Sequence, residues 1–148
     1  MNRLTTWLLR LAYALLTLRR MVLKPVTLGV RVLLIRDGQV MLVRHTYRSG
    51  WFLPGGGLKR RETLEKAARR EAREEVGATI GELRVMGAFS NFAEAEGDHV
   101  VTFVSESFEL QPNRSAEIAE ARFFPLTNLP EGVAPGSRAR IQEYLKPG

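Results

Sequence analysis

The chain has 148 residues, with 22 Lys and Arg, 16 Asp and Glu, two His and no Cys. That length suits one domain with a sizeable core, and 45% apolar with 26% charged residues excludes wholesale disorder. The missing Cys excludes disulfides, thiolate zinc sites and a Cys nucleophile, and is compatible with the expected cytoplasmic location. The net charge of +6 is unevenly placed: Arg3, Arg10, Arg19, Arg20 and Lys24 fall in residues 1–24, which hold no acid. The remainder is nearly neutral, and no basic-and-aromatic pattern points to a nucleic-acid partner.

In chain order, an apolar segment comes first. Its core, Trp7 to Leu18, is 12 residues long and contains Arg10, too short for a bilayer span of about 20 residues. No small-x-small cleavage site follows before Arg19-Arg20, so a signal peptide is disfavoured. A helix from about Leu4 to Arg20 is predicted, ended by Lys24-Pro25. Leu8, Leu11, Leu15 and Leu18 form one seam. The expected role is docking on the domain or on a second copy, giving a possible homodimer. Contact with an anionic membrane surface is the alternative.

Val26 to Ile35 is β-rich, Asp37-Gly38 is a two-residue hairpin signal, and Gln39–His45 is the returning strand. Thr46 to Gly57 is predicted to be a structured loop with little strand. Glu62 to Val76 is helical, with Gly77 as its C-cap. Strand patterns return at about 80–89, 99–110 and 121–126, and Pro135-Gly136-Ser137 starts a last helix through Leu145. Interleaved strands and helices predict a mixed sheet with helices on its faces.

On a helical wheel, Leu64, Ala67 and Ala68 share a stripe that continues into Glu71, Glu74 and Glu75. Lys66, Arg69, Arg70 and Arg73 fall on the far side. Three carboxylates on an inward stripe repel unless cations or protons compensate. With no His or Cys nearby, hard ions such as Mg²⁺ or Mn²⁺ suit them. An exposed helix held by pairs such as Arg70 with Glu74 is the alternative. The preceding Leu53-Pro54-Gly55-Gly56-Gly57 permits close backbone approach or a positive φ, and its carbonyls and N–H groups can reach a metal or phosphate.

The 23 residues Gly56–Ala78, GGLKRRETLEKAARREAREEVGA, resemble the signature of the Nudix hydrolase family. Gly56, Glu62, Arg70, Glu71, Glu74, Glu75 and Gly77 stand at the required spacing, and Trp51-Phe52-Leu53-Pro54-Gly55 looks like the usual lead-in. Ala72 and Ala78 are small for aliphatic positions, a mild departure. The resemblance implies an α/β/α sandwich with a mixed sheet. It divides the chain into a helical arm, residues 1–24, and a Nudix hydrolase domain, residues 25–148.

The family hydrolyses a nucleoside diphosphate linked to another group, with water attacking phosphorus and divalent ions neutralising the developing charge. By position, Glu71, Glu74 and Glu75 look like metal ligands, assisted by the Gly56 carbonyl. Arg70 orients a carboxylate of the cluster, most simply Glu74. Glu62 stands behind the ligands or reaches the ion through water. Glu117 is the best candidate for a catalytic Glu outside the motif, with Glu120 next. Glu94, Glu96 and Asp98 are expected in a solvated loop.

Arg31, Arg44, His45 and Arg48, on or after the first two strands, are candidates for phosphate or ribose, and Phe92 for stacking on a base. A Pro typical of ADP-ribose-type members is replaced by Ala93, a Tyr typical of dinucleoside polyphosphate members is replaced by Ala95, and no coenzyme A signature is present. These absences lower specific labels without supplying one, and the resemblance implies a nucleotide or nucleotide sugar as substrate. Two alternatives remain: a ligand sensor without turnover, and a membrane-associated hydrolase of a lipid or isoprenoid diphosphate.

Overall fold

Asp37 and Gly38 both adopt positive φ, 52° and 72°, the backbone of a primed two-residue turn. They reverse the chain between β1 (Thr27–Arg36) and β2 (Gln39–His45), as the Asp-Gly pair predicts. The structure, a computed structural model, describes residues 3–23, 26–94 and 97–148. The predicted helix stop at Lys24-Pro25 and the loop residue Glu96 lie outside the described residues.

The elements follow in the order α1 (Arg3–Val22), β1, β2, β3 (Gly55–Gly57), α2 (Leu64–Val76), β4 (Ala78–Ile80), β5 (Arg84–Ser90), β6 (Asp98–Ser105), β7 (Phe108–Leu110), β8 (Ile118–Pro125) and α3 (Pro135–Leu145). The main sheet runs β5-β6-β1-β2-β8, with β3 also on β1. β1 and β6 are parallel and the other pairs are antiparallel. β1 meets β2 through Ile35 and Arg36. Its first half holds β3 through Gly29, Val30 and Arg31, so the glycine strand sits beside the centre of the sheet.

Alternation along β1 and β2 builds two cores. Val30, Val32, Leu34, Met41 and Val43 pack with Ala67, Ala68, Ala72 and Val76 of α2. Leu33, Ile35, Val40 and Leu42 pack with Ile141 of α3. The sheet is thus covered by a helix on each face, the predicted α/β/α sandwich. The strands expected at 80–89 and 99–110 are each split. Ser105 Oγ donates to the carbonyls of Glu82 and Ser107 and accepts from the Ser107 N–H. These side-chain bonds displace ladder pairing, and β4 and β7 form a separate two-stranded sheet.

α1 departs from expectation. Neither core contains any of its residues. Leu4, Trp7, Leu8, Leu9, Leu11, Leu15, Leu16 and Leu18 are 42–63% exposed. Among the described residues, the apolar side chains of the helix therefore do not pack into either core. Among the described residues, no helix is long and apolar enough to cross a membrane.

Candidate active site

α2 is closed at both ends by the residues that its sequence offers. Thr63 has extended backbone and its Oγ1 accepts from the Lys66 N–H, satisfying one unpaired donor of the first turn. Gly77 is left-handed, with φ 71°, and a Cβ there would strike the Gln111 carbonyl. Between these caps, Ala67, Ala68 and Ala72 bring the helix close to the sheet, and its carboxylates meet β3.

Glu75 is buried and its Oε1 accepts from the Gly55 N–H at 3.1 Å. Its Oε2 is also buried, and the neighbouring Glu71 carboxylate lies within hydrogen-bonding reach of the Glu75 carboxyl. Glu71 stands against Gly56: a Cβ on Gly56 would lie 2.6 Å from Glu71 Oε1. The need for Gly56 is therefore space. Positive φ belongs to Gly55, at 155°. The Gly56 carbonyl lies toward β1, 3.0 Å from where a Cβ on Gly29 would stand.

Arg70, which the wheel places on the far side, folds back into the carboxylates. Its Nε and one terminal nitrogen hold Glu62 at 2.7 and 2.8 Å. The other terminal nitrogen holds Glu71 at 2.8 Å and Glu74 at 3.3 Å. The Gly57 carbonyl accepts at 3.0 Å. Its main partners are thus Glu62 and Glu71. Glu74, expected to face inward, is 54% exposed.

Hydrogen bonds from Arg70 and from the Lys59 N–H hold Glu62 down at about 2. Burial, reinforced by the neighbouring Glu71 carboxylate and opposed by the Gly55 N–H, pushes Glu75 up to about 8. Three carboxylates sharing one guanidinium leave negative charge to be neutralised, and Glu75 lies buried beside one of them, Glu71. The donor set fits a hard divalent cation. Among the described residues, no group of three His, Cys, Asp or Glu is already arranged as an ion cage. Arg70 explains this, because it occupies oxygens of Glu62, Glu71 and Glu74.

The raised Glu75 has a consequence for stability. In metal-free protein, the native state keeps a proton that the unfolded chain has already released. Its contribution should therefore fall as pH rises from about 4.5 to about 8. Glu62 acts oppositely: its contribution is present above about 4.5 and lost as pH falls toward about 2. Chemical unfolding in chelator across this range checks both slopes. In excess Mg²⁺ the Glu75 slope should flatten, because the ion replaces the proton.

Two open spaces flank the carboxylates. A groove of about 250 Å³ is lined by Leu28, Arg31, Gly56, Gly57, Glu94 and Asp98 among others. A wider cleft of about 700 Å³ includes Met41, Glu75, Gln111, Ser115 and Glu120. Arg31 and Glu94 form a half-buried ion pair at 3.7 Å. Arg48 stacks 3.7 Å over Phe52 and shares a third cleft with Glu94. Arg31 and Arg48 thus converge on Glu94, whose sequence position suggested only a solvated loop.

The other sequence candidates lie elsewhere. Arg44 pairs with Glu120 at 2.9 Å. His45 is buried between Tyr47 and Phe52. Burial and the charges of Arg48 and Arg31 lower its pKa, and its Nε2 lies 3.4 Å from the Arg48 guanidinium. Phe92 is exposed and meets His99 edge-on. Glu117 is exposed and outside the residues lining the wider cleft, whereas Glu120 is among them.

A model of the NUDIX domain matches residues 25–144. An ADP-ribose pyrophosphatase from Methanocaldococcus jannaschii is 26% identical over 132 residues, covering 86% of this chain and 77% of that protein. An RNA pyrophosphohydrolase from Xanthomonas oryzae pv. oryzae is 42% identical over 57 residues, which are 38% of this chain and only 28% of that protein. In structure, a MutT NUDIX hydrolase from Burkholderia pseudomallei gives a TM-score of 0.70 at 23% identity, covering 79% of this chain and 96% of that one. That likeness is one of fold. The family match, together with the clustered motif residues, shows that this chain belongs to the NUDIX family, as a Nudix-type pyrophosphohydrolase.

Proposed function

We propose that the chain hydrolyses a nucleoside diphosphate joined to a second group, a nucleotide or nucleotide sugar, and requires Mg²⁺ or Mn²⁺. The observation that carries this is the buried Glu75 carboxyl, held by the Gly55 N–H and set beside Glu71, which itself stands against Gly56. Glu71, Glu74 and Glu75 would hold the ion, with the Gly56 backbone alongside. A bound ion supplies neutralisation of charge on the phosphate oxygens and acidifies water. Arg70 positions Glu71 through a guanidinium that Glu62 anchors. Arg31 and Arg48 supply positive charge to the diphosphate. Glu120 is better placed than Glu117 to accept a proton from water, since it shares a cleft with Glu75. E117Q and E120Q should differ accordingly, with only E120Q losing the acid limb of the pH–rate profile.

ADP-ribose is the first compound to test, because the Methanocaldococcus relative is an ADP-ribose pyrophosphatase. Ala93, in place of the Pro of such members, makes nucleoside diphosphate sugars with other bases and sugars equal candidates. A panel of these compounds with Mg²⁺ or Mn²⁺ in ¹⁸O-water identifies both the substrate and the phosphorus attacked. Binding of a compound with no turnover under either ion would support a sensor. The full set of motif carboxylates in this chain counts against that outcome.

Gly56→Val should separate space from stability. The added side chain displaces the Glu71 carboxylate, and misplacement of that size lowers turnover by about 10²-fold. The melting temperature should change little. A collapsed melting temperature with normal turnover per folded molecule would make the glycine purely structural.

A further inference from the structure

α1 is an unpartnered amphipathic surface. On a helical wheel Leu4, Leu8, Leu11, Leu15, Leu18 and Val22 fall within about 100°. All six are exposed. Trp7 lies at one border of this stripe and Arg19 flanks the other, while Arg10 lies outside it. Exposed apolar side chains continue through Leu23, Val26 and Leu28. Such a stripe seeks an apolar partner.

Charge selects among the partners. Residues 1–24 carry five bases and no acid. Two copies laid seam to seam would bring like charges together. An anionic bilayer satisfies both properties at once: acyl boundary for the leucines, phosphates for the arginines. The helix carries arginines beside the stripe and does not meet the requirements for crossing a membrane, so it lies in the interface plane. We propose that α1 docks this chain on an anionic lipid surface. The family match begins at residue 25, so this property belongs to the arm and not to the hydrolase domain.

The test uses the full chain and sedimentation with phosphatidylcholine vesicles, with and without phosphatidylserine, at low and high salt. The chain should pellet with phosphatidylserine vesicles at low salt and be released at high salt. Two double variants, L11D with L15D and R10E with R19E, should each weaken binding by about tenfold or more. Their melting temperatures should match the parent, since neither core includes α1. Three outcomes would overturn the proposal. One is a chain that stays in the supernatant with phosphatidylserine vesicles. Another is equal binding to phosphatidylcholine alone, insensitive to charge reversal. The third is a concentration-dependent dimer that L11D with L15D dissociates, with no capture by vesicles.

Discussion

Replacing Glu75 with Gln should lower the metal-dependent kcat by about 10²-fold or more, the scale of losing a preorganised electrostatic contact. The substitution keeps the shape of a protonated Glu75. It removes the ability to present a charged oxygen at the buried carboxyl beside Glu71. Stability should move the other way. Above pH about 8 the parent side chain must ionise in a buried place beside Glu71, and Gln never does. In chelator at alkaline pH, E75Q should therefore unfold at higher denaturant than the parent, and added Mg²⁺ should stabilise it less. Turnover close to the parent's would remove Glu75 from the ligand set.

Arg70→Ala should be the most damaging single change to the fold of the site. Arg70 is the shared cation for Glu62, Glu71 and Glu74, and only 16% of its side chain is exposed. Its loss leaves those carboxylates facing one another. A cost of about 3 kcal/mol is expected, at the low end for breaking a buried ion pair. Part of this should return in excess Mg²⁺, because a divalent ion can replace the lost charge. Arg70→Lys keeps the charge but not the planar fork that reaches Glu62 and Glu71 together. It should fold better than R70A while still turning over slowly. Thermal unfolding of both variants with Mg²⁺ and with chelator measures the difference, and equal destabilisation in both conditions would mean that repulsion is not the cause.

What the sequence made legible was local or strictly spaced. Asp37-Gly38 named its turn because two positive φ values suit those residues. Gly77 named the helix end for the same reason. Motif spacing placed Glu71 and Glu75 on the inner side of α2. A wheel gives angles and not reach, and this is why Glu74 and Arg70 were misplaced. Glu74 is left exposed, and the long Arg70 side chain crosses the helix surface to Glu62. Glu94 was hidden differently. Its partner Arg31 is far away in sequence, and the pairing of β1 with β6 brings Glu94 to Arg31 beside the glycine strand. No periodicity records such a meeting.

The same parallel pairing governs when the site can exist. Thr27 and Asp98, bonded at the start of β1 and β6, are 71 positions apart. Loop closure over that distance must precede the contacts that reward it, and folds rich in such pairings take milliseconds to seconds. On a ribosome, the glycine strand, α2 and all four motif carboxylates emerge before β6 does. For that interval β1 keeps its β6 edge open, and the apolar stripe of α1 emerges ahead of it, so the nascent chain carries two adhesive surfaces with no finished domain to shield them. Refolding should accordingly become less efficient as protein concentration rises, and the loss should be smaller for the α1 variant L11D with L15D.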